Sequence, residues 1–354
     1  MSASILSSGL WTAIATPFLA DGSLDTPSLE RLVEFQIGEG ITGLVPCGTT
    51  GESPTLTKPE HLQVIERTIA TNHGRIPILA GAGSNSTASA IKTATEAADL
   101  GADALLIVDC YYNGPSSREL RRDYYEAILR EVPELPLVPY VIPGRSGCAL
   151  GAADLAILHQ TYPERVPAVK QATGDFDRMR EDRHLAGDSL AILSGDDDLT
   201  LTMMRDDQIR CSGGVSVMSN LVPGGLSRLI EAQRNGDTAE ADRLADAIAP
   251  LLRSVGIKDE ASRTLPDGRQ VKVIDAYRNP VPLKVMMAGL GMMGATTRAP
   301  LGPMSASAVT QARQALRAVH ASDPSLLSPI DDAFGIKVED RLEDDAVWAS
   351  LAAS

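Results

Sequence analysis

Short apolar runs alternate with longer segments of helical periodicity over the first 237 residues of the chain. The apolar runs, many of them bounded by Gly or Pro, predict eight buried strands: Leu10–Phe18, Gly43–Gly48, Ile76–Gly83, Ala104–Tyr112, Leu135–Pro143, Val166–Thr173, Leu190–Gly195 and Gly214–Ser219. The segments that follow them predict eight helices: Ser28–Glu39, Pro59–Asn72, Thr87–Leu100, Ser117–Glu131, Ala152–Tyr162, Phe176–Leu185, Asp198–Asp207 and Gly224–Asn235.

Helix start and stop signals support this division. Thr57 stands two residues before Pro59 and three before Glu60, which is the pattern of a capping box. Eight strand–helix units in about 225 residues match the (β/α)8 TIM barrel, whose usual size is about 250 residues. A doubly wound open sheet is the alternative, although no GxGxxG motif opens the first helix.

The pattern changes after residue 237, where the chain becomes mainly helical. We expect residues 1–237 to form the barrel with the active site, and residues 238–325 to form a C-terminal helical extension. The polar insertion at 258–279 contains a Pro-Asp-Gly turn and is expected to be either a β-hairpin or a loose insertion. The Ser-, Pro- and Asp-rich residues 326–354 predict a flexible tail or a docking tail.

Composition narrows the classes of function. The net charge of −14 argues against nucleic acid and anionic membranes as partners, because both are bound through Lys and Arg. No apolar window reaches about 18 residues and no signal peptide is recognised, so a cytoplasmic protein is expected. Neither the four cysteines nor the five histidines have the spacing of a metal site, so no metal is expected.

Unusual polar residues follow several of the predicted strands. In a barrel of this type the carboxyl ends of the strands form the active-site face. The segments at those ends are Gly48-Thr49-Thr50-Gly51-Glu52-Ser53, Tyr111-Tyr112-Asn113, Tyr140 with Pro143-Gly144-Arg145-Ser146-Gly147, Lys170, and Ser194-Gly195-Asp196-Asp197. Each segment alone has an ordinary structural explanation, but together they predict one polar rim.

Lys170 suggests the chemistry of that rim. It ends an apolar run, and burial of an unpaired ammonium is costly, which favours the neutral amine. A neutral amine in a pocket is the nucleophile that forms a Schiff base with a ketone. A lysine at a strand end can also simply extend to water, so this hypothesis depends on the other rim residues.

Those residues supply complementary groups. The Gly-rich turn exposes backbone N–H groups that can hold a carboxylate, and Thr49 and Thr50 add hydroxyls. The phenols of Tyr140 and Tyr112 can act as acid and base, and the planar fork of Arg145 suits a carboxylate. The set predicts a Schiff-base lyase or aldolase that acts on a 2-oxo acid.

At these motifs, together with Val169-Lys170-Gln171-Ala172-Thr173-Gly174-Asp175, the sequence resembles the dihydrodipicolinate synthase / N-acetylneuraminate lyase family of pyruvate-dependent barrels. The resemblance extends from about Leu10 to Met293, and the Pro-Gly-Arg-Ser-Gly stretch is most similar to the synthase branch. It implies condensation of pyruvate with aspartate semialdehyde in lysine biosynthesis, without a cofactor. It also implies a homodimer or homotetramer.

The resemblance implies a role for each site residue. Lys170 forms the imine with pyruvate, and Tyr140 moves protons through Thr50 to Tyr112 of a neighbouring subunit. Arg145 binds the carboxylate of the acceptor. The remaining substrate contacts implied are the hydroxyls of Thr49 and Thr50 and the backbone of Val215.

The sequence departs from the family pattern in several places. Val141 stands where Asn is usual and Gln171 where Glu is usual, and the insertion and the tail are extra. The lysine-binding regulatory pocket of the family corresponds here to Ser53, Lys58, His61, Asn85, Ser89 and Tyr111. Because Lys58 replaces a His and Ser89 replaces an acidic residue, we expect weak or absent inhibition by lysine.

Two other functions remain open at this point. One is an enzyme of the same family that acts on a 2-oxo-3-deoxy sugar acid or on N-acetylneuraminate, whose neutral tail would need hydroxyl partners instead of Arg145. The other is a catalytically silent barrel that binds a ligand, because a fold by itself does not specify a function.

Overall fold

The computed structural model describes residue 6 and residues 8–132 and 135–353 of the chain, and shows a closed barrel of parallel strands. The strands are β1 Gly9–Ala13, β2 Gly43–Val45, β3 Leu79–Gly81, β4 Ala104–Val108, β5 Leu137–Val141, β6 Ala168–Gln171, β7 Ala191–Ser194 and β8 Gly213–Ser216. Strand β8 pairs with β1, and a parallel bridge from Leu44 to Ile78 joins β2 to the start of β3. The predicted TIM barrel is therefore confirmed, and the open sheet is excluded.

Helices connect the strands in the predicted order. They occupy Thr26–Gly38, Lys58–Asn72, Thr87–Asp99, Pro143–Ser146, Ala152–Thr161, Phe176–Ala186, Thr200–Arg205 and Pro223–Arg234. The helix after β4 is irregular: Ser117–Glu119 continues through a π-helical segment, Leu120–Tyr125, into Glu126–Glu131. The capping box at Thr57 and Glu60 is present. Each strand is shorter than its apolar run, because the residues at the ends of the runs belong to the loops of the two rims.

Alternation along the strands divides the core into two parts. On β1, Trp11 and Ala13 point into the barrel, whereas Leu10 packs between the barrel and its helices. On β6, Ala168 faces the interior and Val169 faces the helices. Because side chains alternate with a period of two, this register directs the side chain of the next residue, position 170, into the barrel.

The C-terminal part packs beside the barrel. It contains helices Thr238–Leu252, Val281–Gly289 and Ala306–Ser322, and the insertion is an antiparallel hairpin of β9 Ile257–Thr264 and β10 Gln270–Tyr277. Of the two expectations for the insertion, the structure therefore shows the hairpin.

Residues after 326 are folded in the described part of the chain. Short helices occupy Pro329–Phe334, Val338–Glu343 and Asp345–Ser350. Trp348 is 3% exposed and lies against Gly289, where an added Cβ would be 2.2 Å from the indole ring. Trp348 thus anchors this segment to the C-terminal helices. None of the described helices is both long enough and apolar enough to cross a bilayer.

Candidate active site

Lys170 and Tyr140 lie side by side inside the barrel. They are paired neighbours in the register of β5 and β6, and each is only 5% exposed. The Nζ atom of Lys170 lies 4.0 Å from the centroid of the Tyr140 ring. A lysine amine therefore lies at the carboxyl-terminal end of the strands inside a largely apolar barrel, which is the arrangement expected of a Schiff-base nucleophile.

Gly195 makes room for the lysine. A Cβ at position 195 would lie 2.8 Å from Cβ of Ala172 and 3.0 Å from Cε of Lys170. Both distances are below ordinary van der Waals contact, so a larger residue there must displace the lysine side chain or the strand that carries it.

We expect Gly195→Ala to lower kcat/KM for pyruvate by about 10- to 100-fold, because a small displacement of the nucleophile is enough to spoil the geometry of attack. Steady-state kinetics would measure the effect. Gly38→Ala is a matched control, since no atom lies within 4 Å of an added Cβ at that position. Equal kinetics for both variants would contradict the steric role of Gly195.

The Gly-rich loop after β2 contributes hydroxyls at the barrel mouth. Thr49 lines a cavity of about 470 Å³, and Thr50 is 1% exposed. The amide nitrogen Nδ2 of Asn279 donates to Oγ1 of Thr50 at 3.0 Å. Arg145 also lines this cavity, and its Nη2 donates to the backbone carbonyl of Asn279 at 3.0 Å. Asn279 therefore links the threonine loop to the arginine.

A buried ion pair holds the threonine loop from behind. Nζ of Lys284 lies 2.5 Å from Oε1 of Glu52, and both side chains are inaccessible to solvent. The ammonium also donates to the carbonyl of Thr16 at 2.9 Å, and the backbone N–H of Arg298 donates to Oε2 of Glu52 at 3.0 Å. Burial lowers the pKa of Lys284, and the neighbouring carboxylate opposes that shift. The loop is thus tied to the C-terminal segment by a satisfied, buried charge pair.

Three consecutive aspartates, Asp196, Asp197 and Asp198, follow β7. Asp197 accepts hydrogen bonds from the backbone N–H groups of Val217 and Met218 at 3.0 and 2.8 Å, which fixes the end of β8. Burial raises the pKa of Asp196 to about 6, the charge of Asp198 adds to this effect, and Lys170 opposes it. Among the described residues no group of three His, Cys, Asp or Glu side chains is arranged to hold a metal ion.

The predicted proton relay is only partly assembled in a single chain. Tyr112 is 89% exposed and has a positive φ of 79°, a conformation rarely adopted by a bulky residue. Its backbone N–H donates to the carbonyl of Ser146, which keeps the Tyr112 loop beside the Arg145 loop. Val215 lies on β8 inside the barrel in the same apolar cluster as Tyr140. The described contacts of Thr50 include Asn279 but no tyrosine.

Of the residues that correspond to the regulatory pocket, Lys58 and His61 lie on one helix, which packs against the helix that carries Ser89. Lys58 makes an ion pair with Glu96 at 2.6 Å and donates to Oγ1 of Thr93, on the helix that carries Ser89. Nε2 of His61 lies 2.8 Å from the carbonyl of Gly81, and burial lowers the pKa of this imidazole.

The other members of this set lie on loops. Ser53 begins a 3-10 turn and is partly buried, whereas Asn85 is exposed. Burial raises the pKa of the Tyr111 phenol, and a hydrogen bond with the backbone of Asn85 opposes the shift.

Three features of the site had no assignment from the sequence. Asn279 and Arg278 reach the cavity at the end of the hairpin, and Lys284 pairs with Glu52. Lys284 did carry a signal, because it is the one charged residue in the apolar helix Val281–Gly289. The pairing of Asn279 with Thr50 spans 229 residues, and no local pattern indicates it.

Comparison with known proteins identifies the family to which the chain belongs. The sequence profile of the dihydrodipicolinate synthetase family matches residues 6–319. The chain belongs to this family. Among curated relatives, 4-hydroxy-tetrahydrodipicolinate synthase of Rhizobium meliloti is 39% identical over 309 residues, which cover 87% of this chain and 97% of that protein. The counterpart in Pelobacter propionicus is 37% identical over 296 residues, covering 84% of this chain and 93% of that protein.

Solved structures of the family agree with the fold. The 4-hydroxy-tetrahydrodipicolinate synthase of Methylacidiphilum fumariolicum SolV superposes with a TM-score of 0.79 at 34% identity, covering 92% of this chain and 99% of that one. A structure described as the first monomeric dihydrodipicolinate synthase variant has a TM-score of 0.78 at 29% identity, covering 90% and 98%. The chain is thus an enzyme of the dihydrodipicolinate synthetase family, and the hypothesis of a silent barrel is excluded.

Proposed function

We propose that the protein condenses pyruvate with L-aspartate 4-semialdehyde to give 4-hydroxy-tetrahydrodipicolinate, through a Schiff base on Lys170. The observation that carries the proposal is the buried Nζ of Lys170, 4.0 Å from the ring of Tyr140 inside the barrel. The family of the chain and the names of its relatives support the same reaction.

The proposed reaction uses the residues of the rim in order. The amine of Lys170 attacks the keto carbon of pyruvate, and loss of water gives the imine. Removal of a proton from the methyl group gives the enamine, whose carbon attacks the aldehyde of the acceptor. The amino group of the acceptor then attacks the imine carbon, which closes the ring and releases Lys170. The phenol of Tyr140, beside the amine, is placed to carry protons in these steps.

The loops would position the two substrates. We assign Thr49 and Thr50 to the carboxylate of pyruvate, because their loop lies at the barrel mouth and is held by the buried Glu52. Arg145 is assigned to the carboxylate of the acceptor. Arg145 lines the cavity, and its guanidinium makes only one described hydrogen bond to the protein, with the carbonyl of Asn279. Its other donors are therefore left for a ligand.

An assay with alternative substrates tests the proposal. The enzyme is given pyruvate with aspartate semialdehyde, and separately N-acetylneuraminate or 2-oxo-3-deoxygluconate in the cleavage direction. We expect turnover with aspartate semialdehyde and a kcat/KM for the sugar acids lower by at least about a thousandfold. Faster cleavage of either sugar acid would replace the synthase by the aldolase alternative.

We propose a homodimer or homotetramer in which Tyr112 completes the site of a neighbouring subunit. The exposed phenol and the positive φ of Tyr112 support this arrangement, since strained loop residues concentrate at functional sites. Mixing inactive Tyr112→Phe with inactive Lys170→Ala subunits is expected to restore part of the activity, because one class of hybrid site is then intact. No recovery in a verified hybrid would contradict a role for Tyr112 between subunits.

We further expect L-lysine to inhibit this enzyme weakly or not at all. Ser89 stands where an acidic residue would pair with the ammonium of the effector, and Lys58 is already engaged by Glu96 and Thr93. A titration of initial rates with L-lysine measures this. Half-inhibition in the tens of micromolar or below would contradict it.

A further inference from the structure

The cavity at the barrel mouth carries two guanidinium groups. Arg145 comes from the loop after β5, and Arg278 comes from the chain that returns from the hairpin. Glu52 is the one acidic residue in the lining of this cavity, and its carboxylate is already paired with Lys284. The free charge that the cavity presents is therefore positive, in a chain whose net charge is −14.

The backbone around Arg278 is held in place on both sides. Before it, the phenol of Tyr277 accepts a hydrogen bond from the backbone N–H of Ser305 at 3.1 Å. After it, Asn279 bonds to Thr50 through its side chain and to Arg145 through its carbonyl. The backbone N–H of Val281 donates to the carbonyl of Arg278 at 3.0 Å. The hairpin thus holds the backbone of Arg278 at the edge of the cavity that Thr49 and Arg145 also line, with the Arg278 side chain exposed.

The guanidinium of Arg278 has no ion pair or hydrogen bond with any described side chain or carbonyl. It lies close enough to Arg145 that its charge contributes to a lowered pKa of that residue, although desolvation is the larger cause. Both arginines are exposed, so solvent screens part of their mutual repulsion, and an anion bound between or beside them would offset the rest. A carboxylate fits the planar donors of two arginines.

We propose that Arg278 is a specificity-determining residue, which binds the carboxylate of the acceptor aldehyde together with Arg145 and so selects anionic acceptors. The inference rests on the function proposed above and adds a role for the hairpin, which delivers Arg278. The residue contacts neither Lys170 nor Tyr140 in any described interaction, so its effect belongs to acceptor binding and not to imine formation.

Kinetics of Arg278→Ala provide the first test. The KM for aspartate semialdehyde is expected to rise about tenfold, which is about 1.4 kcal/mol, while kcat and the KM for pyruvate stay within about twofold. The KM of Arg278→Lys for aspartate semialdehyde is expected to lie between those of wild type and Arg278→Ala, because lysine keeps the charge but lacks the planar fork. Arg269→Ala is the matched control: it removes the same charge from the same hairpin, but Arg269 is paired with Asp267 and lies outside the cavity.

Direct binding provides a second test that does not need turnover. Succinate, an unreactive dicarboxylate of the same carbon length as the acceptor, is titrated into each enzyme by calorimetry at low salt. We expect Arg278→Ala to weaken its binding about fivefold or more relative to both wild type and Arg269→Ala. Equal binding in the two variants, no binding to wild type, or an unchanged KM for the acceptor would each overturn the proposal.

The two tests separate this inference from the proposed function. A wild-type enzyme that forms the pyruvate imine but does not turn over aspartate semialdehyde would refute the synthase. The succinate titration would still decide whether Arg278 binds a carboxylate in this cavity.

Discussion

Replacement of Lys170 by arginine is expected to lower kcat by at least about a thousandfold, because the nucleophile itself is removed. The guanidinium of arginine stays protonated and cannot attack the keto carbon of pyruvate. Binding of pyruvate by the Thr49–Thr50 loop does not need the amine and should weaken much less. The loss should therefore appear in kcat more than in the KM for pyruvate.

Reduction with borohydride in the presence of pyruvate gives a second measurement. Wild type should gain a stable pyruvyl adduct on the peptide that contains Lys170, and the variant should gain none. Lys170→Ala is tested in parallel, since a guanidinium has little room in a site where Lys170 is 5% exposed. Lys92→Arg, on the exposed face of a helix, is the control. An adduct on another lysine, or activity retained without Lys170, would refute the proposed mechanism.

Replacement of Lys284 by methionine is expected to lower the free energy of unfolding by about 3–5 kcal/mol. The substitution leaves the carboxylate of Glu52 fully buried without its cation, and only the N–H of Arg298 remains as a described partner at Oε2. Activity should fall as well, because Glu52 belongs to the loop that carries Thr49 and Thr50. Denaturation by urea, followed by circular dichroism, measures the first effect.

Two further variants separate the ion pair from simple loss of packing. The double variant Lys284→Met with Glu52→Gln removes both charges and should regain part of the lost stability. Lys337→Met breaks an exposed pair with Asp331, in which Lys337 is 69% exposed, and should cost no more than about 1 kcal/mol. A loss for Lys284→Met as small as that of Lys337→Met would show that the buried pair contributes little.

Local pattern was sufficient to predict the barrel. Apolar runs followed by helical segments marked all eight strands and the longer helices between them, because hydrophobic periodicity and caps are read from neighbouring residues. The short helix Pro143–Ser146 was not predicted. The strands were predicted too long, as for Leu10–Phe18, where β1 ends at Ala13. Residues beyond that point are still apolar, but they pack in loops, and the pattern does not distinguish the two.

Much of the candidate site could also be predicted, because the architecture of the barrel fixes where the strand ends lie. In a parallel barrel the strand ends meet on one face, so residues far apart in the chain, such as Thr49, Arg145 and Lys170, can be assigned to one rim before any coordinate is known. The pairing of Lys170 with Tyr140 follows from adjacent strands in register. The resemblance to a family supplied the roles of these residues, which remain proposals.

The sequence by itself determined the alternation of strands and helices, and with it the strand end at which Lys170 lies, because both are read from neighbouring residues. Only the tertiary structure decided that Asn279 reaches Thr50, that Lys284 neutralises Glu52 across 232 residues, and that the hairpin brings Arg278 to the cavity. These contacts arise where the C-terminal segments dock on the closed barrel. These contacts depend on packing and on the pairing of buried polar groups, and neither produces a periodic pattern in the sequence.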